Sequence, residues 1–222
     1  MMWHPQDEEI LRRPAPVLDH QDEDDDDDEF DEEESRGEED EKLSEKVLKT
    51  RTILVSEPIS EELARTVYQQ ILVLEAESVE KPITVLINSP GGEADSGFGI
   101  YDMLRFTAAP VRTIVAGLCA SAAVMVFLAG AKGQRLATPN SRFLLHQPSS
   151  QSFGQAADLK IASEEIVKLR GRYNRIVAEV TGKNLDQINH DADRDFWLNA
   201  PEALEYGLVD RVVGKRAEIE QT

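Results

Sequence analysis

The sequence predicts an α/β fold built on a buried parallel sheet, and three observations predict it. Ile83-Thr84-Val85-Leu86-Ile87 and Val111 to Ala116 are continuous apolar runs, as expected of strands covered on both faces. Each is followed by a helical stretch, Ser96 to Phe106 and Ser121 to Ala131, so strand and helix alternate. Parallel neighbours joined in this way require right-handed crossovers.

Ahead of the first run, Ser60 caps a helix that reaches about Ser78. Glu61 and Glu62 fill its first turn, where the helix dipole favours carboxylates, and Leu63, Val67, Ile71 and Leu74 recur at helical spacing. The strand at 83–87 stops at Asn88-Ser89-Pro90-Gly91-Gly92, whose glycines open backbone conformations closed to other residues. Arg135 to Thr138 and Arg142 to Leu145 read as short strands. Ala156 to Val180 is a long helix with Ile161, Ile166, Leu169, Tyr173 and Ile176 on one side, an apolar stripe that needs a partner surface. Asn199 opens a last helix over 201–206, with Glu202 three residues on as in a capping box and Gly207 as its stop. Leu208 to Val213 reads as the closing strand.

Charge is distributed unevenly along the 222 residues. Residues 1–42 hold 20 acids and 4 bases, so they carry most of the formal charge of −19, and the remaining 180 residues have the balance of an ordinary soluble domain. Asp22 to Glu29 is an unbroken run of eight acids, which predicts a disordered extension. The expected organisation is therefore an acidic N-terminal extension over 1–42 and one folded domain over 43–222. Nucleic-acid binding is not expected, because phosphate binding needs clustered Lys and Arg. The lone Cys119 has no partner within the chain, and the start has neither a basic n-region nor an apolar h-region, so a reducing cytoplasm is expected. Ile114 to Ala131 is free of charge, but its switch from β-branched residues to Ala, Gly and Ser suits a buried strand, turn and helix better than a membrane span.

Ser121 stands where the second apolar run becomes a helix. A hydroxyl there has the positive end of the dipole and free N–H groups beside it, which suits a nucleophile, with the Ala122 N–H as first oxyanion donor. The bland reading is a helix N-cap. Gly91 and Gly92 could likewise bring backbone N–H groups close to a ligand, or form only a tight turn. Of four histidines, His4 and His20 lie in the acidic region and His190 in a polar segment, so His146, at the end of an apolar strand, is the candidate general base. Asp191, Asp193 and Asp195 are all candidates for the carboxylate that would orient it, and sequence spacing does not choose among them. The pattern around the serine is not the Gly-x-Ser-x-Gly elbow of α/β-hydrolases. Cys119 reads as inert packing.

Together these segments resemble the proteolytic subunit of the Clp protease, from about Leu48 to Val213. The resemblance rests on Val73-Leu74-Glu75-Ala76-Glu77, Ile87-Asn88-Ser89-Pro90-Gly91-Gly92, residues 129–133, Pro139-Asn140-Ser141-Arg142, His146-Gln147-Pro148 and Arg194-Asp195-Phe196. It implies a crotonase-like fold of repeated ββα units with a protruding handle helix, and a serine endopeptidase with Ser121 as nucleophile, His146 as base and Asp195 as the orienting carboxylate. Gly92 and Ala122 would be the oxyanion donors, and Phe106 part of a partner-docking site. It also implies two stacked heptameric rings, homomeric or mixed, fed with unfolded protein by a hexameric AAA+ unfoldase. ATP would be used by that partner, and this chain would need no metal or cofactor. The acidic extension would be a removable propeptide or an element at the axial pore.

The sequence departs from the family around the serine, where Leu118-Cys119-Ala120-Ser121-Ala122-Ala123 replaces Gln-Ala-Ala-Ser-Met-Gly, and at Leu86, which replaces an aromatic. Two other readings stand beside the protease: a catalytically silent or regulatory ring subunit, and an acyl-CoA enzyme of the same broad fold. Neither would need the pairing of Ser121 with His146.

Overall fold

The computed structural model describes residues 42–148 and 153–219. The chain divides into a unit of residues 1–45 and one of residues 46–222, and the fold set out below lies in the second. The acidic extension expected over 1–42 lies, except for its last residue, outside the described residues.

Five parallel strands form the frame, in the order β1 (Thr52–Val55), β2 (Ile83–Ser89), β3 (Val111–Ala120), β4 (Arg135–Ala137) and β7 (Arg211–Val212). The apolar runs sit at its centre: Ile83, Val85, Ile87 and Val115 are fully buried. Helix α1 (Glu61–Glu77) lays Leu63, Val67, Ile71 and Leu74 against the core, and the Ser60 side chain accepts the Leu63 N–H as the cap. No basic residue occupies its last turn; instead Arg51 reaches across to donate to the carbonyls of Leu74 and Ser78 at 2.8 and 2.9 Å. Helix α2 (Ala94–Phe106) follows β2 and helix α3 (Ala122–Leu128) follows β3, with every residue of α3 buried.

A bulge in β3 creates a second set of pairings. Between Ile87↔Val115 and Ser89↔Cys119, β2 advances two residues while β3 advances four. The surplus centres on Gly117, at φ 107, and Asn88 accepts the N–H of Leu118 there. That φ strains any residue with a Cβ, which here would also lie 2.6 Å from Asn88 Oδ1, so the position favours glycine. Beyond the bulge β3 pairs with β5 (Arg142–Leu145) in parallel, and β5 pairs with β6 (Phe196–Asn199) in antiparallel.

Several expected boundaries move. Helix α2 begins at Ala94 rather than Ser96, and β3 continues past Ala116 to Ala120 because the bulge preserves its pairing. Helix α3 ends at Leu128, three residues early. Of the closing strand expected over 208–213, only Arg211–Val212 pairs. Leu208 and Val209 instead turn inward after helix α6 (Ala200–Tyr206), whose Asn199–Glu202 capping box and Gly207 stop are both present. The uncharged stretch from Ile114 to Ala131 divides between β3 and α3, and no helix among the described residues is long and apolar enough to cross a membrane.

Helix α4 (Ala156–Thr181) packs only along its second half. Tyr173 and Val177 are buried, whereas Ile161 and Val167 are 59% and 65% exposed. Helix α5 (Leu185–Asp191) folds back on it, with Asn174 donating to Asn189 at 2.7 Å.

One ion pair ties β4 to the segment before β7. Asp210 accepts both Nε and Nη2 of Arg135, at 3.0 and 2.6 Å, and the backbone N–H groups of Gly133 and Arg135 as well. Burial alone would raise the Asp210 pKa, but the side-chain and backbone donors of Arg135 outweigh it and hold the carboxyl below its usual value. A carboxylate held low in the folded state contributes stability above its unfolded pKa, and that contribution disappears as the pH falls through the folded value. Thermal midpoints measured against pH should therefore decline below about pH 4. Asp210→Asn should cost about 2 to 3 kcal/mol at neutral pH, because Arg135 remains buried without its counter-charge, and should flatten that acid limb.

Candidate active site

Ser121 joins the end of β3 to the start of α3 with φ 55 and ψ −123, one of two non-glycine residues at positive φ among those described. That conformation costs on the order of 1 to 3 kcal/mol and persists only where the surroundings impose it. Here they do. The Ser121 N–H donates to Leu144 O at 3.0 Å, its carbonyl accepts the Val124 N–H, and its side chain makes no capping bond. The hydroxyl is therefore not spent on the helix, contrary to the N-cap reading.

The turn after β2 is pressed against this segment. A Cβ on Gly91, at φ 88, would stand 2.5 Å from Ala120 O, 2.7 Å from Ser121 Cβ and 2.9 Å from Ala122 N. Gly92 forms an isolated parallel bridge with Ile59, closed by Ile59 N–H to Gly91 O and Glu93 N–H to Ile59 O. Because the flanking residues make those bonds, the N–H of Gly92 itself faces the opposite side. A Cβ on Gly92 would strike Ile59 O, so both glycines serve close backbone approach as well as the turn. The Ala122 N–H opens α3 and has no intrahelical acceptor.

Strand register places His146 near Ser121. Leu118, Cys119 and Ala120 pair with Arg142, Phe143 and Leu144, so Ser121 and His146 both lie just past the carboxyl ends of neighbouring parallel strands. They line one cavity of about 230 Å3 with Gly92 and Ala122. The remainder of its wall is mostly apolar, from Phe98, Met125, Pro148, Ile166, Leu169 and Tyr173. Glu93 also lines it. Sequence reading passed over this residue, although its place directly after Gly92 was the available signal.

The same register separates the three aspartates. Leu145 pairs with Phe196 in the antiparallel ladder, so the next position outward sets His146 opposite Asp195, and His146 Nδ1 lies 3.4 Å from Asp195 Oδ1. Asp191 accepts the Tyr206 hydroxyl at 2.8 Å. Asp193 accepts Gln147 Nε2 at 2.7 Å and Arg170 Nη2 at 3.4 Å, while Arg170 also donates to Gln147 Oε1. This network braces the chain directly after His146.

Cys119 is fully buried, and burial pushes its thiol far above the usual range, which removes it as a nucleophile. Phe106 ends α2 at 81% exposure and does not border the Ser121 cavity. Leu86, Ile114 and Val213 line a separate groove of about 320 Å3. Among the described residues no cluster of His, Cys, Asp and Glu could hold a metal ion.

Comparison with known proteins gives concordant results. A family model described as Clp protease matches residues 35–216. The ATP-dependent Clp protease proteolytic subunit 2 of Treponema denticola is 44% identical over 181 residues, covering 82% of this chain and 90% of that protein. Its namesake from Treponema pallidum is 46% identical over 175 residues, or 79% and 88% of the two chains. A solved structure of a ClpP1 mutant from Listeria monocytogenes matches with a TM-score of 0.74 at 39% identity, over 80% of this chain and 99% of that one.

Proposed function

The chain belongs to the Clp protease family and is a serine peptidase subunit, and from that premise we propose that Ser121 is its nucleophile, His146 its general base and Asp195 the carboxylate that orients the imidazole. The observation that carries this reading is the convergence of Ser121, His146 and Gly92 on one cavity, with the serine hydroxyl held outside the helix cap.

In the proposed reaction Ser121 Oγ attacks the scissile carbonyl while His146 Nε2 takes its proton, and Asp195 stabilises the imidazolium and keeps the remaining proton on Nδ1. The N–H groups of Gly92 and Ala122 receive the oxyanion as the carbonyl becomes tetrahedral. Collapse breaks the C–N bond, and His146 returns the proton to the leaving amine. Water, deprotonated by the same histidine, then cleaves the acyl-serine. Protein groups and water complete this chemistry, so no metal or cofactor is assigned to the chain.

The assembly follows from the same premise. The exposed Ile161 and Val167 of α4 suit a helix that interlocks two heptameric rings, homomeric or mixed, into a closed chamber. Phe106 would help dock an AAA+ unfoldase that uses ATP to deliver unfolded protein, in the cytoplasm. The acidic extension is assigned as a propeptide or pore element.

A fluorophosphonate probe should form an adduct on the purified protein that maps by mass spectrometry to Ser121. An assembled barrel left unlabelled would overturn the reading and favour the silent ring subunit.

A further inference from the structure

We propose that Glu93 gives the active-site cleft a preference for peptides carrying lysine or arginine beside the scissile bond, an inference that rests on the assignment of the Ser121 cavity as the substrate site. Glu93 lies between the oxyanion glycine and α2, and among the described residues it is the only acidic residue lining the cavity. Its backbone is fixed by the N–H bond to Ile59 O at 2.9 Å. Its carboxylate is fixed too, since Oε2 accepts the Ser96 hydroxyl at 3.0 Å at the start of α2. Among the described residues Glu93 has no ion-pair partner.

Arg172 and Arg170 already have partners. Arg172 stacks its guanidinium 4.2 Å above the centroid of the Phe98 ring, and Arg170 is held by Gln147, Asn189 and Asp193. Neither lines the cavity. The cleft thus joins an apolar wall, including Phe98, Met125 and Leu169, to one unpaired carboxylate at its rim. Lysine and arginine have the matching form, an aliphatic stem that packs on apolar surface and a charged tip that remains partly in water. A purely aliphatic side chain fills the wall but gains nothing from the rim.

The test uses the full-length assembled protein and two fluorogenic peptides that differ only in having Lys or Leu before the cleaved bond. Because the pair is partly exposed, Glu93→Gln should lower the Lys-to-Leu ratio of kcat/KM by about fivefold. Glutamine still accepts from Ser96, so the local fold is retained. Added salt should lower the same ratio in the unsubstituted protein and leave it unmoved in the variant. Glu93→Lys should transfer the preference to a peptide with Glu at that position. A ratio unchanged in both variants, while the parent still cleaves the Leu peptide, overturns the inference and leaves the active-site assignment standing. Failure of the parent to cleave either peptide, with Ser121 unlabelled by fluorophosphonate, overturns both.

Discussion

Ser121→Ala is expected to lower peptide hydrolysis on the order of a million-fold in kcat while leaving the fold intact, because no other serine, threonine or cysteine among the described residues lines the cavity. The only cysteine near it is buried and protonated. The structural cost should be small: the Ser121 side chain makes no cap bond, and Ala122 to Leu128 are held by burial on all sides rather than by the hydroxyl. A thermal midpoint close to that of the parent would confirm that the loss is chemical. The residual rate should come from the oxyanion donors and binding alone. Hydrolysis by the variant at the parental rate would place the nucleophile elsewhere. A parent that assembles but has no activity to lose would point instead to the silent subunit.

The two strand-turn-helix units that hold the serine and the glycines were legible in the sequence because their signals are local. Apolar runs such as Ile83 to Ile87 state the strand, and Gly91 and Gly92 mark the stop where a Cβ would collide with neighbouring backbone. The backbone of Ser121 was not legible. A serine at the start of a helix reads as a cap, and only contact with Gly91 and the Ser121 N–H bond to Leu144 O impose positive φ. Strands β1 and β6 and helix α5 were missed for a related reason. Phe196–Asn199 is four residues long and follows a polar loop, and it becomes a strand by pairing with β5 some fifty residues away. The bulge had one sign in the sequence, Gly117 inside a strand pattern, and the strand expected over Val111 to Ala116 stops just before it, four residues short of the observed end at Ala120.

Apart from the family resemblance, only this missing strand distinguishes Asp195 from its neighbours, and its substitution provides the second large expected effect. Asp191, Asp193 and Asp195 alternate with other residues in a polar stretch, so sequence periodicity gives them equal standing. The antiparallel register supports the proposed Asp195 by setting it across from His146, while Asp191 and Asp193 are engaged by Tyr206 and by Gln147 with Arg170. The separation of 3.4 Å from His146 Nδ1 is at the long end of hydrogen-bond reach. Asp195→Asn should lower kcat by about ten-thousand-fold, since the amide can donate to Nδ1 and hold the imidazole in the tautomer that leaves Nε2 protonated and unable to accept from Ser121. Its KM should change little, because Asp195 lies outside the cavity that holds the peptide. Asp191→Asn should have a far smaller effect on kcat, and its cost should appear in stability through the Tyr206 hydroxyl. An Asp195→Asn protein within tenfold of the parental kcat, beside an Asp193→Asn protein that has lost activity, would reassign the orienting carboxylate to the residue that braces Gln147.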